Sequence, residues 1–266
     1  MTEAERSALM ALAGELADAA GTAALHHFRT ADLGADSKLS DAFDPVTAAD
    51  REAEDAMRAI LRQQRPNDAV LGEEMGHQPG SSGLTWVLDP VDGTRGFLAG
   101  TPTWGVLVAV SDATGPLYGI IDQPYIGERF MGGFGTARMR GPRGETKLAT
   151  RPARPLAEAI LLTTYPELGT AEETRAFHNV AARARLTRYG MDCYAYALIA
   201  AGQIDLVIEA DLQPHDIHAP IAVIEAAGGI VTDWRGGPAR NGGRVIAAAN
   251  RAVHAEALDL LAPAGD

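Results

Sequence analysis

Cysteine is nearly missing from this chain. Cys193 is the single one in 266 residues, which excludes an intrachain disulfide framework and a structural zinc site built on several thiolates. Positive charge is also scarce. Lys plus Arg number 23 against 35 Asp plus Glu, a formal net charge of −12. A chain with that balance and no long basic run is a poor match for nucleic acid or an anionic membrane surface. No uninterrupted apolar run reaches the roughly 18 residues of a membrane span, so no transmembrane helix is expected. The N-terminus carries Glu3 and Glu5 instead of a basic-then-apolar leader, and a cytoplasmic location is expected. The rest is ordinary: 46% hydrophobic and 22% charged residues, in a length that fits one large domain or two small ones sharing an interface.

Periodicity divides the chain into two textures. Residues 3–28 carry Leu9, Leu12, Leu16, Ala19, Ala23 and Phe28 at helical spacing, and residues 48–65 carry Ala53, Met57, Ile60 and Leu61 likewise. Between these predicted helices lies a polar loop over residues 30–44. Short strands are predicted at 69–72 and 86–88, with a Gly/Pro/Ser loop over 76–83. Runs at 104–110, 117–122 and 129–133 predict antiparallel hairpins. Residues 138–154, rich in Gly, Pro and basic side chains, are read as the boundary between an α+β domain over 1–147 and an α/β domain over 148–266. The second half alternates strand and helix. Strands are predicted at 159–164, 204–209, 230–233 and 244–249. Helices are predicted at 171–184, 193–201, 217–227 and 254–261.

The most informative stretch is WVLDPVDGTRGF, residues 86–97. Pro90 restricts Asp89 to extended geometry, Asp92 follows three residues later, and Gly93 allows a ligand close to the backbone. A helix starting near Thr94 would offer free N–H groups to a phosphate. Two carboxylates at this spacing suit Mg²⁺, a hard cation that takes oxygen ligands. A turn that merely carries two aspartates is the plain alternative, and the EF-hand spacing is missing. Three further clusters add weight. They are Gly72-Glu73-Glu74 after a strand, Asp44-Pro45-Val46-Thr47-Ala48-Ala49-Asp50 at a helix start, and Gln213-Pro214-His215-Asp216 just before an apolar helix.

With these residues in place, the chain resembles the inositol monophosphatase superfamily from about residue 4 to residue 261. Within it the chain is most similar to the histidinol-phosphate phosphatase branch. Arg95 after the Thr, the Gly-x-Pro-Thr-Trp-Gly segment ending at Gly105, and Asp192-Cys193-Tyr194-Ala195-Tyr196 carry that similarity. The family often has Lys-Pro-Tyr-Asp where this chain has Gln213-Pro214-His215-Asp216, and Gly-Gly-Asp-Cys where it has Gly190-Met191-Asp192-Cys193. His218 and Pro220 also replace small apolar residues.

The resemblance implies a layered αβαβα sandwich of the sugar-phosphatase type, a homodimer, and two or three Mg²⁺ per site. By matched position, Glu73 and Asp89 with the Val91 carbonyl would hold the first Mg²⁺. Asp89, Asp92 and Asp216 would hold the second. The Gly93 and Thr94 backbone N–H groups would bind phosphate, and Asp50 with Thr94 would orient and deprotonate the attacking water. Asp192 and Glu209 would select the substrate, with Arg188 contacting it or shielding the site. A helix cap is the alternative for Asp192. Glu74 is read as a third-metal ligand or a solvated carboxylate, and Thr47 as a structural hydroxyl. Cys193 is read as a packing residue. His215 and His218 form at best a weak zinc pair, with a substrate-facing or supporting role left open for His215. Histidinol phosphate is the expected substrate, with inositol monophosphate or another sugar phosphate as the alternative. A non-catalytic binding member of the fold would have lost part of the acidic set. Here Asp50, Glu73, Asp89, Asp92 and Asp216 are all present.

Overall fold

The structure, a computed structural model, describes residues 1–30, 35–37 and 45–262, with the backbone alone at 35–37 and 45–47. Most of the polar loop expected over residues 30–44 lies outside the described residues, as does the side chain of Thr47. The first half runs α1 (Glu3–His27), β1 (Ala35–Ser37), β2 (Pro45–Thr47), α2 (Ala48–Gln64), β3 (Ala69–Gly72), β4 (Gly76–Gln78), β5 (Thr85–Asp92) and α3 (Thr94–Leu98). The antiparallel run β6 (Gly105–Asp112), β7 (Gly115–Gln123), β8 (Glu128–Gly133), β9 (Thr136–Gly141) and β10 (Gly144–Lys147) follows. The second half runs β11 (Ile160–Thr163), α4 (Ala171–Ala181), β12 (Leu186–Tyr189), α5 (Asp192–Ala200), β13 (Leu206–Leu212), α6 (Pro214–Ala226), β14 (Ile230–Asp233), β15 (Gly243–Ala248) and α7 (Arg251–Leu261).

Two main sheets result. One has eight strands in the order β10-β9-β8-β7-β6-β5-β3-β4, and the other five in the order β12-β11-β13-β15-β14. Inner strands such as β6 and the first half of β13 read as nearly continuous apolar runs because both faces are covered. Along β6, Val106, Val108 and Val110 pack with Leu12 and Leu16 of α1 and Met57 of α2. The alternate residues Leu107 and Ala109 face a middle layer of α5 and α6. The same alternation recurs in β13. Val207 joins the middle layer, while Leu206 and Ile208 meet Phe177 of α4 and Val253 and Ala257 of α7. The order of layers is therefore helices, sheet, helices, sheet, helices, the expected αβαβα sandwich.

α1 is capped by Thr2, whose Oγ1 accepts from Glu5 N–H at 3.2 Å while Glu5 accepts from Thr2 N–H at 2.6 Å. By length and composition α1 is apolar enough to cross a membrane, although the lack of an uninterrupted run predicted no such helix. Here Leu9, Leu12, Leu16, Ala17 and Ala20 are buried in the core instead.

Several local expectations are corrected. Residues 138–154, read as the domain boundary, also hold strand structure that was not expected, because β9 and β10 pair there as an edge hairpin, Gly144 opposite Gly141. All four residues of β10 are exposed, so no apolar alternation marks them. β12 was missed for the same reason, and β4 is a three-residue strand within the expected loop over 76–83. β5 continues through Pro90 to Asp92. α6 begins at Pro214, which places Asp216 in its first turn and not ahead of it.

Two glycines let α6 lie directly on the large sheet. A Cβ at Gly119 of β7 would come 2.7 Å from the Ala219 carbonyl oxygen, and one at Gly132 of β8 would come 2.4 Å from Val223 Cα. Backbone atoms cannot yield as a flexible side chain can. Gly132→Ala should therefore lower stability by about 2–3 kcal/mol in urea unfolding. An unchanged midpoint would show that α6 can shift freely.

Candidate active site

Asp89 and Asp92 are three residues apart on β5, which in a regular strand would put them on opposite faces. The pairing with β6 changes that. Asp89 lies opposite Leu107 and Asp92 opposite Gly105, so β5 carries one extra residue at Pro90-Val91. This bulge turns both carboxylates to one side, and it tolerates a proline, which has no N–H to give the ladder. The Val91 N–H donates to Asp89 Oδ1 at 3.1 Å, and the Thr94 hydroxyl donates to the Val91 carbonyl at 3.3 Å.

Glu73 is held by a device the sequence did not announce. Glu54 of α2 is fully buried. Its carboxylate accepts from the backbone N–H groups of Glu74 at 2.7 Å and Met75 at 3.2 Å, and from Arg58 Nε at 2.7 Å. Arg58 in turn donates to the Gly76 carbonyl at 2.6 Å. The turn carrying Glu73 is thus fastened at both ends. Gly72 is required beside it, because a Cβ there would come 2.1 Å from Glu54 Oε1.

The second half of the chain supplies the rest. Asp92 Oδ2 accepts from Cys193 N–H at 2.6 Å, which ties the start of α5 to the end of β5. Asp216 Oδ2 accepts from Gln213 N–H at 2.7 Å, which fixes its rotamer in the first turn of α6.

Three carboxylates, Asp89, Asp92 and Asp216, bring oxygens within 4.8 Å of one another. Asp50, Glu73 and Glu74 form a second such group, and Glu73, Asp89 and His215 a third. Asp89 is 1% exposed. Burial, then the charges of Glu73, Asp92, Asp216 and Asp50, push its carboxyl well above the usual range. Burial together with Asp192 and Asp216 does the same to Asp92, and burial raises Asp216. Converging buried acids of this kind are costly unless a cation lies among them. Among the described residues no Lys or Arg forms an ion pair with Asp89, Asp92 or Asp216. The Asp89, Asp92 and Asp216 group offers oxygen donors alone and fits a hard divalent cation, and Val91 stands between the first two in the chain.

A cavity of about 590 Å³ opens beside this group. Glu73, Asp92, Gly93, Thr94 and Asp216 line it together with Asp192, Glu209 and Tyr196. Asp192, at φ 45°, opens α5 without capping it. Its Oδ2 accepts from the Thr103 hydroxyl at 3.2 Å. Gly93 makes room for it, since a Cβ there would come 2.8 Å from Asp192 Cγ. Burial raises the Asp192 pKa, opposed by Thr103 and Arg95. Glu209 accepts from the Thr163 hydroxyl at 3.1 Å and from the Thr164 N–H and hydroxyl at 2.7 and 3.0 Å. Its pKa is nevertheless pushed up to about 7, by burial above all.

Arg188 is not brought to the cavity. It is exposed on β12, the edge strand, and Arg95, whose guanidinium lies 5.1 Å from the centre of the Tyr165 ring, lines the wall instead. The histidines flanking Asp216 do not form a pair. His218 Nδ1 lies 2.8 Å from Ser111 Oγ and its Nε2 2.8 Å from the Arg240 carbonyl. A carbonyl can only accept, so Nε2 holds the proton and Nδ1 accepts from Ser111. Cys193 is buried, its pKa raised by burial and by Asp92, and it packs beside Gln123. Glu74 lies 3.9 Å from Arg51 Nε. Tyr196 was overlooked because its ring reads as core. It is buried, its hydroxyl has no hydrogen-bond partner among the described residues, and it lines the cavity.

Comparison with known proteins agrees with this geometry. Residues 5–264 match the model of the inositol monophosphatase family. The chain is 39% identical to the chloroplastic bifunctional phosphatase IMPL2 of Arabidopsis thaliana, over 98% of this chain and 77% of that protein. It is 32% identical to a histidinol-phosphatase of Chlorobaculum parvum, over 91% and 92%. Among solved structures it resembles an inositol monophosphatase from Zymomonas mobilis, with a TM-score of 0.85 and 37% identity, over 98% of this chain and all of that one.

Asp89→Asn keeps an acceptor for the Val91 N–H and removes a carboxyl whose ionised form burial and the neighbouring acids disfavour. In EDTA at pH 8 its thermal midpoint should exceed the wild type's by about 2–4 °C. Adding Mg²⁺ should raise the wild-type midpoint and leave the variant's unchanged, and a lower midpoint for the variant in EDTA would contradict the repulsion. Glu209 holds a proton more tightly folded than unfolded, so its contribution to stability is present at low pH and is lost as pH rises through about 7. Between pH 6 and 8 in EDTA, the wild type should lose about 1 kcal/mol relative to Glu209→Gln in urea unfolding. A constant difference would show that Glu209 ionises normally.

Proposed function

This chain belongs to the inositol monophosphatase family of phosphatases, and we propose that within it the chain is a divalent-cation-dependent phosphomonoesterase acting on histidinol phosphate. The observation that carries the choice of substrate is the pair of carboxylates, Asp192 and Glu209, lining the same cavity as Glu73, Asp92 and Asp216. The alcohol released from histidinol phosphate bears an amine and an imidazole. Partly desolvated carboxylates select such a cationic group strongly. The 32% identity to a histidinol-phosphatase over nine-tenths of both chains supports the same reading.

Glu73, Asp89 and the Val91 carbonyl would hold one cation, Mg²⁺ in this reading, and Asp89, Asp92 and Asp216 a second. When bound, the cations supply the positive charge that acidifies water and neutralises phosphate oxygens. The Gly93 and Thr94 N–H groups, at the start of α3, orient the phosphate through its free oxygens. Asp50, buried on α2, takes the proton of the attacking water, and the Thr94 hydroxyl aligns that water opposite the ester oxygen. The new P–O bond forms as the ester P–O bond breaks, and the leaving alkoxide takes up a proton. Asp192 and Glu209 hold the alcohol's cationic groups throughout, so the ester oxygen stays in line. Neither a serine nor a cysteine nucleophile is required, in keeping with a buried Cys193 of raised pKa.

An inositol monophosphate is the second reading, supported by the likeness to the Zymomonas enzyme, since carboxylates also accept from sugar hydroxyls. Relative kcat/KM for histidinol phosphate and inositol 1-phosphate decides between them. We expect a preference of at least about tenfold for histidinol phosphate, and Asp192→Asn should lower that value by about 10–100-fold while sparing a plain alkyl phosphate. Preference for the inositol ester would overturn the choice of substrate, and equal loss on both substrates would remove Asp192 from selection.

A further inference from the structure

His215 stands where the family often has a tyrosine, and its placement is unlike that of a residue turned to solvent. It occupies the second position of α6, directly before Asp216. A ring nitrogen of His215, a carboxylate oxygen of Glu73 and one of Asp89 all lie within 4.8 Å of one another. Its Nε2 is 3.5 Å from Asp216 Oδ1, and its side chain is 15% exposed. The three donors come from three separate elements, the turn after β3, the end of β5 and the first turn of α6. Each is fixed independently: Glu73 through the Glu54 clamp, Asp89 through Val91 N–H, and α6 through its seat on Gly119 and Gly132. Ligand atoms around one ion at about 2.0–2.2 Å lie roughly 3–4 Å apart, so the group needs only a small contraction to share a cation.

We propose that His215 is a direct ligand of the first cation position, alongside Glu73 and Asp89. The proposal rests on the metal-dependent reading above and adds to it. Imidazole is a borderline donor. It suits Mn²⁺, Co²⁺ and Zn²⁺, whereas Mg²⁺ prefers oxygen ligands and keeps its waters. This chain's site should therefore favour nitrogen-accepting cations over Mg²⁺ more strongly than the same site without the imidazole.

The test uses the full chain, stripped with EDTA and loaded with Mn²⁺. Pulsed electron paramagnetic resonance of the bound Mn²⁺ should show nuclear modulation from a coordinated ¹⁴N. That modulation should change to the ¹⁵N pattern when the protein is grown with ¹⁵N-histidine, and should vanish in His215→Gln. Calorimetry should show Mn²⁺ affinity falling by about tenfold in His215→Gln, with Mg²⁺ affinity changing by less than about threefold. Bound Mn²⁺ with no histidine modulation in the wild type, or modulation retained in the variant, would overturn the proposal. If His215→Gln does not fold, the isotope comparison in the wild type decides alone. Failure of Mn²⁺ to bind, or binding undiminished by Asp89→Asn, would overturn the metal-site reading itself and this proposal with it.

Discussion

Mutual repulsion among carboxylates is the constraint around which this molecule is arranged. Asp89 is almost wholly buried, with Asp92, Asp216, Glu73 and Asp50 close enough to disfavour its ionised form. Left to itself such a group would protonate or spread apart. The fold prevents the spreading, because the acids stand on different elements that are each fastened from behind. A divalent cation held among these oxygens would relieve the repulsion and turn a local liability into an organised site.

The fastening is distributed through the layers. A one-residue bulge in β5 turns Asp89 and Asp92 the same way. The buried Glu54–Arg58 pair holds the turn that carries Glu73. Gly119 and Gly132 seat α6 on the large sheet, and Asp216 stands in its first turn. The Cys193 N–H reaches Asp92 from the start of α5, so the two halves of the chain meet at the acids themselves. Pro220, four residues beyond Asp216 in α6, has no N–H to give the Asp216 carbonyl, which leaves that first turn held mainly from its own N-terminal side.

Much of this was legible beforehand. Asp89, Asp92, Glu73 and Asp216 announce themselves through Pro and Gly neighbours and through their order along the chain, and the sandwich was expected from the family resemblance those residues carry. What escaped prediction is what periodicity cannot register. β10 and β12 lie at sheet edges and are mostly exposed, so no apolar alternation marks them. Glu54 and Arg58 read as an ordinary helix-surface pair at i and i+4, and only the tertiary structure shows them buried. Tyr196 reads as core because its hydroxyl is significant only once the cavity beside it is known. Arg188 was expected to contact the substrate or shield the site, but it is exposed on an edge strand and does not line the cavity. The distance from His215 to Glu73 and Asp89 spans more than a hundred residues and has no sequence signature.

Proton release on cation binding tests the central claim most directly. Isothermal titration of the EDTA-stripped protein with Mg²⁺ over a pH series from about 5 to 8, in buffers of different ionisation enthalpy, gives the number of protons displaced at each pH. Carboxyls held above their ordinary range by burial and by one another keep their protons to higher pH than free carboxyls, so the cation must displace protons at the acid end of the series. Saturable binding with a clear release of protons, diminished in Asp89→Asn, is the predicted result. Binding without proton release, or no saturable binding at all, would contradict the account.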